Sequence, residues 1–315
     1  MQVRIIRKCD VATDICVFEL ARPDGSALPA GSAGAHIDVR IGDGLVRQYS
    51  LCNHPDDTHR YMIGVLREVN SRGGSIAMHA LTEGSLLEIS EPKNHFPLAQ
   101  AASHSLLLAG GIGVTPILGM AEHLAASGAS FEMHYCTRDP ARAAFREQLA
   151  DARFGGRVHL YFDSGLADER VNLQALLAAP DVGKHLYVCG PSGFIGAVLD
   201  TAIAAGWDQR NLHREYFAAA SQPEAASDDF QVKLASSGQV IDVKGDQSVL
   251  AALTAAGVDI PTSCEQGVCG TCMTRVLAGQ PDHRDVYLTD EERAANDCFL
   301  PCCSRSKSPM LVLDL

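Results

Sequence analysis

The chain has 315 residues, 46% hydrophobic and 20% charged, which are ordinary proportions for a globular protein of roughly two domains. A net charge of −12 with no run of Lys or Arg disfavours a nucleic-acid binder and favours small ligands or a basic protein partner. MQVRIIRKCD lacks a signal-peptide apolar region, and no apolar stretch reaches the ~20 residues of a membrane span, so a cytoplasmic monomer without membrane contact is expected.

Residues 1–99 read as short strands, among them VFEL, HIDVR and LLEIS, separated by Gly, Pro and Asp clusters. They predict a small antiparallel β-barrel. From Ser103 the rhythm changes. SLLLAG, FEMHYCT, VHLYFD and HLYVCG are strand-like, and helical patterns such as ILGMAEHLAA and ARAAFREQLA lie between them. Such alternation predicts a doubly wound parallel α/β domain over 100–222. AAASQPEAASDD, residues 218–229, has no apolar periodicity and reads as a linker. In the remaining segment, 228–315, FQVKLASSGQVIDV reads as a hairpin and SVLAALTAAGV as a helix, so a third, α+β domain is expected.

Of the 11 cysteines, six follow residue 260, and in a reducing compartment such clustering signals metal rather than disulfides. Cys264, Cys269 and Cys272 form C-x4-C-x2-C, with further cysteines at 298, 302 and 303. Thiolates suit iron–sulfur clusters or zinc, but this spacing is that of plant-type 2Fe–2S proteins, whereas zinc sites use other spacings or mix Cys with His. Gly267, Gly270 and the small Thr271 let the backbone wrap closely, so amide N–H groups can point at the sulfurs. CEQGVCGTC resembles the cluster loop of plant-type ferredoxins. PCCSRS resembles that family's closing Cys-x-Ser-Arg, which selects Cys302 as fourth ligand over Cys298 and Cys303.

A 2Fe–2S centre carries one electron and a nicotinamide delivers two, so a flavin between them is expected. RQYSLCN resembles the Arg-x-Tyr-Ser motif of the ferredoxin-reductase superfamily. Arg47 suits a phosphate, Tyr49 the isoalloxazine face and Ser50 the ring near N5. Alone, so short a motif would equally fit a solvated Arg and a core Tyr. SRGGSIAMH adds Gly73, Gly74 and Ser75 at a helix start, a place for an anion. The superfamily uses the same segment on the flavin phosphate, and the resemblance adds Gln48, Val65, Leu66, Arg67, Thr115 and, from REYF, Phe217. A core aromatic is the plain alternative for Phe217.

LLLAGGIGVTPIL reads as strand, glycine turn and helix, with Gly110, Gly111 and Gly113 allowing close approach of a pyrophosphate. YVCGPSGF supplies a second strand end, with Cys189, Gly190 and Pro191; Cys189 would lie beside the nicotinamide or is simply a small buried hydrophobe. VHLYFD ends at Asp163, which would accept from ribose hydroxyls and repel a 2′-phosphate, so NADH is the expected donor. Arg138 points the other way, since an Arg can reach phosphate.

Together RQYSLCN, EPKNHFPL, GGIGVTP, CGPSGF, CEQGVCGTC, DHRD and PCCSRS span the whole chain. The set resembles the phthalate dioxygenase reductase family, which includes vanillate demethylase reductases. That resemblance implies FMN, NADH, a C-terminal ferredoxin domain of β-grasp fold, and a Rieske-type oxygenase component as partner. The alternatives are a stand-alone NADH-dependent flavin, ferric or acceptor reductase, and a non-enzymatic redox sensor. Residues 228–315 hold 13 acidic against 7 basic residues, so the cluster end would be the more anionic part and suited to a basic partner surface.

Overall fold

The computed structural model describes residues 1–42, 45–69, 71, 73–166, 169–217 and 228–315. Residues 218–227 of the expected linker therefore lie outside the described residues. The chain forms two compact units, Met1–Glu215 and Tyr216–Leu315. No helix among the described residues is long and apolar enough to cross a membrane.

The first unit opens with β1 (Gln2–Ala12), β2 (Ile15–Ala21), β3 (His36–Ile41), β4 (Leu45–Ser50), β5 (Tyr61–Leu66), helix α1 (Gly74–Ala80) and β6 (Leu86–Ile89). The six strands form an antiparallel sheet in the order β4-β3-β6-β1-β2-β5. Its edges meet where Leu51 bridges Ile63 and Cys52 N donates to Met62 O at 2.9 Å, so the sheet curls into a barrel. The run ICVFEL does not alternate because both faces of β2 are covered. Cys16, Phe18 and Leu20 fill the barrel, while Ile15 and Val17 enter a second core shared with the parallel sheet. Glu19, 7% exposed on that second face, is held by Arg60 at 2.6 Å and Arg7 at 3.3 Å.

Across 90–103 the chain passes to β7 (His104–Gly110), α2 (Val114–Ala126), β8 (Phe131–Thr137), α3 (Arg146–Leu149), β9 (Val158–Phe162), α4 (Leu173–Leu177), β10 (Lys184–Cys189), α5 (Ser192–Ala204) and β11 (Leu212–Glu215). All five strands run parallel in the order β11-β10-β7-β8-β9. The winding reverses between β7 and β10, so their carboxyl ends flank the crevice in which doubly wound sheets bind ligands.

One predicted helix differs. ARAAFREQLA yields a tight turn at Pro140–Arg142 and only the single turn α3. Phe145 sits between them in the left-handed region at φ 61, with its ring buried against Gly64, where a Cβ would come within 3.2 Å of Phe145 Cζ. Burying that ring outweighs helix propensity, which is a weak prior.

The second unit comprises β12 (Phe230–Leu234), β13 (Val240–Val243), α6 (Val249–Ala255), β14 (Thr274–Ala278), β15 (Pro281–Asp282), α7 (Asp290–Ala295), β16 (Cys298–Phe299), β17 (Arg305–Ser306) and β18 (Met310–Leu313). β12 and β13 form the expected hairpin, with Gly238 at φ 75 in its turn. The terminal strand β18 inserts parallel to β12 and antiparallel to β14, in the order β13-β12-β18-β14-β16. Ser248 caps α6, whose Val249, Ala252 and Leu253 pack on the sheet in one core with Val232, Phe299 and Leu311. This is the expected α+β, β-grasp arrangement.

Candidate functional site

The iron–sulfur residues lie in the second unit. Cys264, Cys269 and Cys272 are buried and Cys302 half-buried. Their sulfurs approach one another, Cys264 beside Cys269 and Cys272 beside Cys302, and Cys302 is also in contact with its neighbour Cys303. Two pairs of thiols match the two irons of a 2Fe–2S centre. The contact with Cys264 lowers the Cys269 thiol pKa from its ordinary value. Backbone N–H groups of Gln266 and Val268 point at Cys264, that of Thr271 at Cys269 and that of Gly267 at Cys302. This is the donor arrangement expected to favour a cluster that gains negative charge on reduction.

Gly267 and Gly270 have φ of 72° and 70°. A Cβ at Gly267 would lie 2.4 Å from Cys303 Sγ, and one at Gly270 would strike the Tyr287 ring at 2.2 Å. Cys303 therefore sits against the loop backbone beside Cys302, with its sulfur 3.8 Å from Leu300 O and from Ser304 Oγ. Cys298 lies on β16, paired with Arg275 of β14.

The predicted flavin residues converge within the first unit. Arg47 and Gly74 are far apart in sequence, yet the Arg47 side chain lies across Gly74, where a Cβ would meet its Cγ and Nε at 2.6 Å. Gly73, at φ 90, precedes α1, and Ser75 Oγ accepts from Glu68 N at 3.1 Å and donates to Ser71 Oγ at 2.9 Å. Tyr49 packs on the barrel core, and burial pushes its hydroxyl pKa up. Val65 is buried in that core, Leu66 is half-buried against the second core, and Arg67 is exposed with its N–H donating to Asp14 O at 2.7 Å.

Thr115 is buried at the start of α2, its methyl against Gly64. Gln48 is engaged by the neighbouring strand, its Nε2 donating to Asp38 Oδ1 at 3.1 Å and lying 3.2 Å from His36 Nε2. Phe217, 39% exposed, belongs to the second unit.

The two nucleotide turns are pressed together. A Cβ on Gly113 would lie 2.3 Å from Cys189 O, and one on Gly110 would lie 2.8 Å from Phe194 and 3.0 Å from Pro191. Gly190 lies equally close to the Gly110 backbone. Gly111 takes φ 54 as the chain turns into α2. Cys189 is fully buried, and desolvation followed by the charge of Glu215 raises its thiol pKa well above the ordinary value. At the far side Arg138 and Asp163 are exposed on adjacent strand ends, joined by Ser164 N donating to Arg138 O at 2.8 Å and Asp163 N donating to Thr137 O at 3.0 Å.

One residue at this crevice escaped the sequence reading. Glu215 ends β11 in register with Cys189 and is hydrogen-bonded to Ser50. Burial pushes its carboxyl up to about 8, and its Oε2 is buried with no hydrogen-bond partner. Only its place in REYF could have singled it out, and an acid in that setting reads as an ordinary strand-end charge.

The 2Fe-2S iron-sulfur cluster binding domain family matches residues 232–307, and the N-terminal domain of dimethylamine monooxygenase subunit DmmA-like proteins matches 90–212. The chain is 55% identical over 306 residues to the vanillate O-demethylase oxidoreductase of Pseudomonas sp. (strain HR199 / DSM 7063), covering 97% of this chain and 96% of that one. It is 38% identical to the phthalate dioxygenase reductase of Burkholderia cepacia over 100% and 97% of the two chains. A solved phthalate dioxygenase reductase, described as a modular structure for electron transfer from pyridine nucleotides to [2Fe-2S], superposes with a TM-score of 0.81 at 38% identity, covering 100% of this chain and 98% of that one. With likeness of this extent along its whole length, the chain belongs to the phthalate dioxygenase reductase family.

Proposed function

We propose that the chain is the NADH-dependent reductase component of a two-component Rieske non-haem iron oxygenase, with electrons passing from NADH through FMN to a 2Fe–2S centre and on to the oxygenase. The observation that carries this is the pairing of Cys264 with Cys269 and Cys272 with Cys302, in a chain that aligns end to end with a vanillate O-demethylase oxidoreductase. FMN supplies the conversion of a two-electron donor into single-electron steps. The chain's own residues position the partners. Arg47 and the Gly73–Ser75 turn offer charge and amide donors to a phosphate, and Tyr49 and Ser50 are the residues that the family motif assigns to the ring. The Gly110–Gly113 and Cys189–Pro191 turns admit the nucleotide backbone at the switch point, and Asp163 favours a ribose with free hydroxyls. Plant-type clusters lie near about −400 mV, low enough to reduce a Rieske centre.

The test is an anaerobic NADH titration of the purified protein, followed by turnover with a vanillate demethylase oxygenase component. Bleaching of flavin and cluster absorbance together, and NADH-dependent product formation, are expected. Acceptor reduction that survives loss of the cluster unchanged would favour the stand-alone reductase.

A further inference from the structure

The four cysteines come from two separated segments, the Cys264–Cys272 loop and the Cys302 turn, so the fold must tie one to the other. The stretch between them carries a buried carboxylate. Asp285 is 4% exposed. Its Oδ2 accepts from Leu288 N at 2.8 Å and Tyr287 N at 3.1 Å, and its Oδ1 accepts from Ser304 Oγ at 3.3 Å. Ser304, 1% exposed and two residues past Cys302, also accepts from Arg284 N at 3.2 Å.

The same stretch grips the other segment. Val286 N donates to Gly267 O at 3.0 Å. Gly267 lies flat on Asp285, since a Cβ there would be 3.0 Å from Asp285 Cα, and the next-but-one ring, Tyr287, covers Gly270. From α7, Arg293 Nη2 donates to Asp285 O at 2.7 Å and stands 3.8 Å from Oδ2. A carboxylate taken out of water costs free energy unless its bonds are satisfied; here Oδ2 holds the amides of its own turn, whose Tyr287 covers Gly270, and Oδ1 holds Ser304 beyond Cys302.

We propose that Asp285 is a positioning residue for the iron–sulfur centre: it locks the loop carrying Cys264, Cys269 and Cys272 to the turn carrying Cys302, and places a fixed negative charge beside the centre. Its oxygens bond backbone amides and Ser304, so it acts through these segments and is not a ligand. The proposal rests on the 2Fe–2S reading above. A negative charge near the cluster opposes the electron it gains, so removing that charge makes reduction easier.

The experiment compares full-length wild type with Asp285→Asn, Asp285→Ala and Ser304→Ala. It measures the rate of iron release to a ferrous chelator and the cluster's midpoint potential. Flavin content and NADH bleaching of the flavin serve as internal controls. Asp285→Asn keeps the volume but loses the charge and part of the accepting capacity; iron release about tenfold faster and a less negative potential are expected, with the flavin controls unchanged. Ser304→Ala removes one strut and should speed release by a smaller factor without moving the potential. Should Asp285→Ala fail to fold, the two near-isosteric variants still decide. Wild-type release and potential in Asp285→Asn would overturn the proposal. A wild-type protein with no cluster absorbance would instead overturn the 2Fe–2S reading, and the proposal with it.

Discussion

Ser50, the last residue of β4, is hydrogen-bonded to Glu215, the last residue of β11, so the barrel and the parallel sheet meet at an uncharged acid. With its carboxyl pushed up to about 8 by burial, Glu215 is protonated at neutral pH and holds a proton beside the serine assigned to the flavin ring.

That shift makes stability depend on pH. The folded-state pKa lies above the ordinary 4.5, so the folded state binds more protons between those values. Its contribution is full below about 4.5, declines as pH rises, and is lost through about 8. In flavin-free protein, stability relative to Glu215→Gln should fall by up to ~1.4 kcal/mol per pH unit across this window. Thermal midpoints of both proteins from pH 5 to 8.5 check it, and parallel curves would disprove the buried acid.

Gly113 has φ −60, which any residue tolerates, so Gly113→Ala tests the close approach alone. The added methyl would meet the Cys189 carbonyl at 2.3 Å, backbone against backbone, where neither atom can swing away. A loss of about 1–3 kcal/mol is expected, together with weaker NADH binding. Thermal denaturation and fluorescence titration with NADH measure the two effects.

Cys272 and Cys302 lie side by side, and Cys303 stands next to Cys302, so substitution separates ligand from bystander. Cys272→Ala or Cys302→Ala should abolish the cluster's visible absorbance and cytochrome reduction while NADH still bleaches the flavin. Cys303→Ala and Cys298→Ala should keep both absorbance and cytochrome reduction. A colourless Cys303→Ala beside a coloured Cys302→Ala would reverse the assignment of the fourth ligand.

Asp163 and Arg138 share one rim with opposite charges, so removing the acid leaves the base to act alone. Asp163→Ala should lower kcat/KM with NADH and raise it with NADPH, shifting their ratio by about tenfold, or ~1.4 kcal/mol. Steady-state kinetics with both nucleotides would show it. An unchanged ratio would place the choice of nucleotide elsewhere.

What the chain determined by itself was local. The C-x4-C-x2-C spacing, the glycine turns and the strand–helix alternation each lie within one loop or a few consecutive elements, where backbone geometry ties neighbouring residues together. From these the three folds, the cluster loop and the nucleotide turns were legible.

The tertiary structure decided whatever depends on residues distant in sequence. Arg47 over Gly74, Gly113 against Cys189 and the Ser50–Glu215 hydrogen bond arise only when separate strands are brought side by side. Phe145 left its predicted helix because the groove beside Gly64 took its ring, and burying an aromatic ring outweighs the small propensities that a local pattern expresses. Asp285 shows the same limit. As one acid in DHRD it is a surface charge by default, and only the closing of Gly267 and Ser304 around it takes it out of water.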